Sequence, residues 1–134
     1  IAGARLWDAP ELDFNDLIHF TGAKAKEVLT ITDFSKESLK IYERELHRLE
    51  VSLKQMQTDA SIKIAMTHYP PIGAKGEPSA ASQLLEKYQI NHCVFGHLHN
   101  VKKEANCFGV HRGVHYHLVA ADYLENFSPI KIVD

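Results

Sequence analysis

From Ser35 onward apolar residues recur at helical spacing. Leu39, Tyr42, Leu46, Leu49, Leu53 and Met56 follow one another at alternating steps of three and four, the period of one helix face. Ser35 is placed to cap the helix and Glu37 puts an acid in its first turn, where free backbone N–H groups need acceptors. The spacing predicts an amphipathic helix to about Asp59. Lys40, Glu43, Arg44, Glu45, Arg48, Glu50 and Lys54 form its polar face. Strict alternation also allows a coiled-coil seam, but a helix packed on a sheet explains the stripe more simply.

The pattern then shortens. Ile62 to Thr67 reads as a buried strand, ended abruptly by His68-Tyr69-Pro70-Pro71, because two prolines cannot continue a ladder. Ile72 to Pro78 is a Gly/Pro loop. Ser79 caps a second helix to about Tyr88, with Leu84, Leu85 and Tyr88 on one face. Cys93-Val94-Phe95 is a short apolar strand stopped by Gly96. Cys107 to Val119 has the form of a hairpin, with Gly109 or Gly113 for the turn. Pro129 to Val133 could form a last strand, and Asp13 to Phe20 a short helix or turn; Arg5, Trp7 and Pro10 lie in a loop-like stretch. Strands alternating with helices, followed by a hairpin, argue for α/β layers.

Composition narrows the class. The chain has 134 residues, 45% hydrophobic and 24% charged, values that exclude disorder and fibrous repeats. Fifteen Lys and Arg against seventeen Asp and Glu give a net charge of -2, which offers no strong nucleic-acid surface. No apolar run approaches the roughly 20 residues needed to span a bilayer. Cys93 and Cys107 form no Cys-x-x-Cys pair, so a reducing, cytoplasmic setting is expected. The chain opens Ile1-Ala2-Gly3, in what reads as the end of an apolar strand, with no initiator Met and no signal-peptide pattern. We expect a single segment, 1–134, cut from a longer domain; a processed mature chain is the alternative.

Nine histidines stand out, seven of them after residue 60. Two motifs organise the candidate chemistry: Thr67-His68-Tyr69-Pro70-Pro71 and Gly96-His97-Leu98-His99-Asn100. Each follows an apolar strand, and ligands of open α/β sheets bind in the loops beyond strand C-terminal ends. In an extended segment His97 and His99 would point the same way. Neutral imidazole is a good ligand for Zn, Mn, Fe and Ni. Gly96 would let the backbone turn sharply, and the prolines would hold the exit of His68. From this composition a Gly-His-x-His match is expected about 0.03 times by chance. Metal binding of this kind should weaken below about pH 6, as protons compete for the rings.

These two motifs, with a helix between them, resemble the last two signature motifs of the calcineurin-like metallophosphoesterases. Gly3-Ala4-Arg5-Leu6-Trp7 is similar to a Gly-Thr-Arg-Gly-Trp stretch of some bacterial members, with Ala4 and Leu6 as departures. The resemblance implies an α/β fold that is part of a four-layer αββα sandwich. It implies metal-dependent hydrolysis of a phosphoester at a centre of two divalent ions, Mn, Fe or Zn. His68 and His97 would ligate one ion and His99 the other, with no catalytic residue beyond the metal ligands. The second histidine of the motif tilts the substrate toward a phosphorylated small molecule or nucleotide. Arg5, whose guanidinium matches phosphate geometry, and His117 are secondary substrate-binding candidates.

The family's earlier Asp-x-His, Gly-Asp-x-x-Asp and Gly-Asn-His motifs do not occur here. Asn91-His92 lacks the flanking Gly and acid and leads into a strand, so it reads as structural. The chain therefore resembles the C-terminal half of such a domain, and alone should bind one ion weakly at most and be inactive. Two other readings compete. His68, His97 and His99 could form a mononuclear three-histidine hydrolase or lyase site. Alternatively the chain is a non-catalytic binding module, pairing through the 39–56 stripe or an exposed sheet. His115 and His117 share a strand face opposite Tyr116, most simply a solvent-facing side. His19 and His47 read as structural or exposed.

Overall fold

The computed structural model describes residues 1–19, 34–105 and 107–132. Within them the chain runs β1 (Ala2–Ala4), α1 (Lys36–Lys54), β2 (Ile64–Thr67), α2 (Ala80–Lys87), β3 (His92–Phe95), β4 (Gly109–His111) and β5 (Val114–Leu118). The strands form one mixed five-stranded sheet in the order β1-β2-β3-β5-β4. β1, β2, β3 and β5 are parallel, and β4 pairs antiparallel with β5. The α/β expectation therefore holds at the level of class.

Local chemistry accounts for the elements. Ser35 Oγ accepts from the Ser38 N–H at 3.1 Å, as expected of the cap. Ser79 caps α2 in a capping box with Ser82. The hairpin turns at Arg112-Gly113, both with positive φ (45° and 84°), the requirement of a tight two-residue turn that follows the strand twist.

The sheet's two faces differ. Ala2, Ala65, Cys93, Phe95, Tyr116 and Leu118 are buried with Leu49 and Leu53 of α1 and Ala81 and Leu85 of α2 in one core cluster. α1 lies along β1 and touches α2, so both helices cover this face. The opposite face carries Met66, Val94 and His117 in one row and Ile64, His92 and His115 in the next. None of these six is buried, and Met66 is 52% exposed. β2 is thus half-buried rather than fully buried as its apolar run suggested. An apolar run reports what a strand can bury, not what covers it.

Other expectations shift in detail. α1 ends at Lys54, not near Asp59. Gln55 and Met56 close the end with N–H bonds to Ser52 and Leu53 carbonyls, and Thr58 and Asp59 favour turns over helix. Glu45, assigned to the polar face, is 1% exposed. Arg44 and Arg48 fold over its carboxylate at 3.3 and 2.8 Å, so the charge is paired rather than solvated. The hairpin's first strand begins at Gly109, not Cys107. Asp13 to Phe20 contributes a 3₁₀ turn at Asn15–Leu17; Phe20 lies outside the described residues. Residues 129–132 form no strand, and Val133 lies outside the described residues. Among the described residues no helix is long and apolar enough to cross a membrane.

Candidate metal centre at the strand ends

Four parallel strands bring four exit loops to one edge: Arg5–Asp8 after β1, His68–Pro71 after β2, Gly96–Asn100 after β3 and Val119–Asp122 after β5. Backbone bonds stitch the loops together beyond the strands. The N–H groups of His68 and Tyr69 both donate to the Arg5 carbonyl at 3.1 Å, Gly96 N–H donates to the His68 carbonyl at 3.2 Å, and Val119 N–H donates to the Phe95 carbonyl at 2.8 Å. The Ser79 hydroxyl, which caps α2, donates to the Pro71 carbonyl at 2.6 Å. The helix cap and the His-Tyr-Pro-Pro loop are thereby one unit.

The backbone of this edge is strained. His97 has φ +67°, Asn100 +56° and Leu6 +61°, a left-handed region that costs a non-glycine residue roughly 1–3 kcal/mol. The Leu98 N–H donates back to the Gly96 carbonyl at 2.8 Å, closing a three-residue turn around His97. With positive φ at its centre this is the rarer, strained γ-turn. The strain falls on His97 and not on Gly96, where an added Cβ would meet nothing within 4 Å. The loop is therefore not extended, and alternation does not set the directions of His97 and His99.

The turn instead aims His97 at His68. His97 Nδ1 lies 3.1 Å from His68 Nε2. Two nitrogens held by one tetrahedral ion at about 2.1 Å each stand about 3.4 Å apart, so this pair is close to ligand spacing. Tyr69 stacks on His97 with ring centroids 4.0 Å apart, and Trp7 follows at 5.2 Å from Tyr69. Burial holds the His97 imidazole below its usual pKa; Asp8 opposes this, while His68 and His99 add to it. Asp8 lies 3.8 Å from His97 Nε2. Burial raises its carboxyl above the ordinary value, against the pull of His97.

His99 takes a different partner. Its Nδ1 is 2.8 Å from Asp122 Oδ1, and the Asn100 N–H donates to Asp122 Oδ2 at 2.7 Å. The Asn100 N–H chiefly, with His99 behind it, holds the Asp122 carboxyl below the usual range. The three predicted histidines share one edge, but as a pair and a separate residue. Among the described residues no group of three or more His, Cys, Asp or Glu side chains is arranged to hold one metal ion.

Of the secondary candidates, Arg5 reaches the edge, with its guanidinium 4.6 Å over the Trp7 ring. His117 does not. It lies on the open sheet face with its Nε2 3.1 Å from His92 Nδ1, in cross-strand register with Val94. Sequence reasoning missed Asp8, Asp122 and the packing role of Tyr69. The usable signal was topological: both acids stand four residues beyond the end of a parallel strand.

Compared with known proteins, the chain matches no family model, no curated protein and no solved structure.

Proposed function

We propose that this chain supplies three metal ligands to a dinuclear metallophosphoesterase centre, His68 and His97 for one divalent ion and His99 for the other. The observation that carries the reading is the 3.1 Å approach of His68 Nε2 and His97 Nδ1, with His97 on a strained turn at the C-terminal strand edge. The separate placement of His99 on Asp122 favours two ions over one. Imidazole nitrogen suits Mn, Fe and Zn. When bound, such ions would polarise the phosphoryl group and acidify water.

Three imidazoles carry no negative charge to offset two dications. The bridging carboxylates are proposed to come from a segment outside 1–134, which makes this chain the C-terminal half of the domain. The open sheet face, with Met66 half-exposed and Val94 only partly buried, supports packing against a second sheet in a four-layer sandwich. Arg5 on Trp7 is suited to a phosphate oxygen of a small phosphorylated molecule or nucleotide. Free Cys93 and Cys107 fit a reducing, cytoplasmic setting.

Hydrolysis of a chromogenic phosphodiester with Mn²⁺ tests the reading. Residues 1–134 alone should show no turnover. A polypeptide that also carries a segment with the Asp-x-His and Gly-Asn-His motifs should be active, and His97→Ala should abolish that activity. Turnover by 1–134 alone would contradict the divided site. Inactivity of the extended polypeptide would contradict the phosphoesterase assignment.

A further inference from the structure

We propose that Asp122 is a positioning residue, holding the His99 proton on Nδ1 so that Nε2 is presented as the ligating nitrogen. The ion's identity rests on the phosphoesterase reading; the hydrogen bonds do not. An ionised carboxylate only accepts. A contact of 2.8 Å between Asp122 Oδ1 and His99 Nδ1 therefore requires the proton on Nδ1. The tautomer of a metal-binding imidazole is set by the bond its other nitrogen makes, and a carboxylate partner also strengthens the ligand.

The carboxylate is itself fixed. Its second oxygen accepts the Asn100 N–H at 2.7 Å, so two bonds from successive residues set its rotation. The same grip pins Asn100 at φ +56°, directly after the ligand. Asp122 belongs to the loop after β5, while His99 follows β3, the neighbouring parallel strand. The sheet therefore brings this acid to the ring across 23 residues of sequence. Among the described residues no carboxylate supports His68 or His97 in this way: Asp8, at 3.8 Å from His97 Nε2, is beyond hydrogen-bond reach. His68 and His97 share one proton position between their facing nitrogens, whereas among the described residues a carboxylate assigns the tautomer of His99.

Nitrogen-15 NMR of the imidazoles in residues 1–134, near neutral pH, reads the tautomers directly. His99 should be in the Nδ1–H form. Asp122→Ala should move it to predominantly Nε2–H, the form favoured by free imidazole. Asp122→Asn should also give Nε2–H, since its amide oxygen can keep the Asn100 N–H bond while its NH2 donates to an unprotonated His99 Nδ1. Because that variant keeps both loop contacts, a changed tautomer there separates an effect on the ring from general loosening of the loop, and an unchanged Nδ1–H form would overturn the proposal. Dispersed amide signals from β3 and β5 confirm the fold of each variant. An Nε2–H tautomer in the unmodified chain, or a tautomer unchanged in Asp122→Ala, overturns the proposal. Adding Zn²⁺ to the same sample tests the underlying reading separately. Shifts at His68 and His97 with His99 in the Nε2–H form overturn the role of Asp122 alone. No shift at His68, His97 or His99 overturns the metal reading and the ligand role with it, whatever the tautomer.

Discussion

The molecule holds two groups of three histidines, and they differ in their setting. His68, His97 and His99 stand on loops at the strand edge; His92, His115 and His117 stand on the open face of β3 and β5. Each group contains a ring pair with nitrogens 3.1 Å apart. At the edge the rings come with carboxylates, Asp122 at 2.8 Å and Asp8 at 3.8 Å, and with left-handed backbone at His97 and Asn100. On the face the rings sit on regular strands, with centroids 4.9 to 6.4 Å apart, and the other titratable groups of β4 and β5 are His111 and Tyr116. Proximity of imidazoles alone does not mark a site. Backbone strain held in place by surrounding packing is the stronger sign, and an acid that fixes a ring is the next.

The largest expected effect tests that difference by ligand loss. His97→Ala should weaken Zn²⁺ binding by calorimetry at least tenfold, about 1.4 kcal/mol, whereas His92→Ala should leave it unchanged. Equal losses in both variants would erase the distinction between edge and face.

Strain gives the next effect. His97→Gly should raise the unfolding free energy in urea by about 1 kcal/mol, because glycine enters the left-handed region freely. His115→Gly, in the middle of a strand, should lower it by about 1 kcal/mol. A destabilised His97→Gly would mean that the turn at His97 is not strained.

A smaller effect comes from pH. Burial, with like-charge neighbours, depresses the imidazoles of His92 and His117 below their ordinary value. The unfolded chain then binds protons that the folded chain refuses, so stability should fall as pH drops from about 6.5 through the folded values. Partial exposure screens the effect to under about 1 kcal/mol. His117→Gln should flatten the dependence of the thermal midpoint over that window; a steeper dependence would contradict the assignment. Smallest of all, His115→Thr should change stability by no more than about 0.5 kcal/mol, since its ring is exposed.

Much of this was legible in the sequence where the cause is local. The helix stripe from Tyr42 to Leu53, the caps at Ser35 and Ser79, the Pro70-Pro71 stop and the Gly113 turn each follow from neighbours within a few residues. So did the placement of His68, His97 and His99 beyond strand ends. What was illegible depends on register and on covering layers. His92 meets His117 only because β3 and β5 pair as neighbours in parallel. Asp122 meets His99 for the same reason. Met66 looked buried because an apolar strand does not say how many of its faces are covered. The γ-turn at His97 is not legible in the sequence, because the glycine beside it places the turn at position 96.

The central claim is that the edge, and not the face, receives a divalent ion. Titrating Mn²⁺ into residues 1–134 and following paramagnetic broadening of the nine imidazole signals tests it most directly. The account predicts that His68 and His97 broaden first, His99 close behind, while His92, His115 and His117 stay sharp. Broadening of His92 and His117 ahead of His68 and His97 would contradict it.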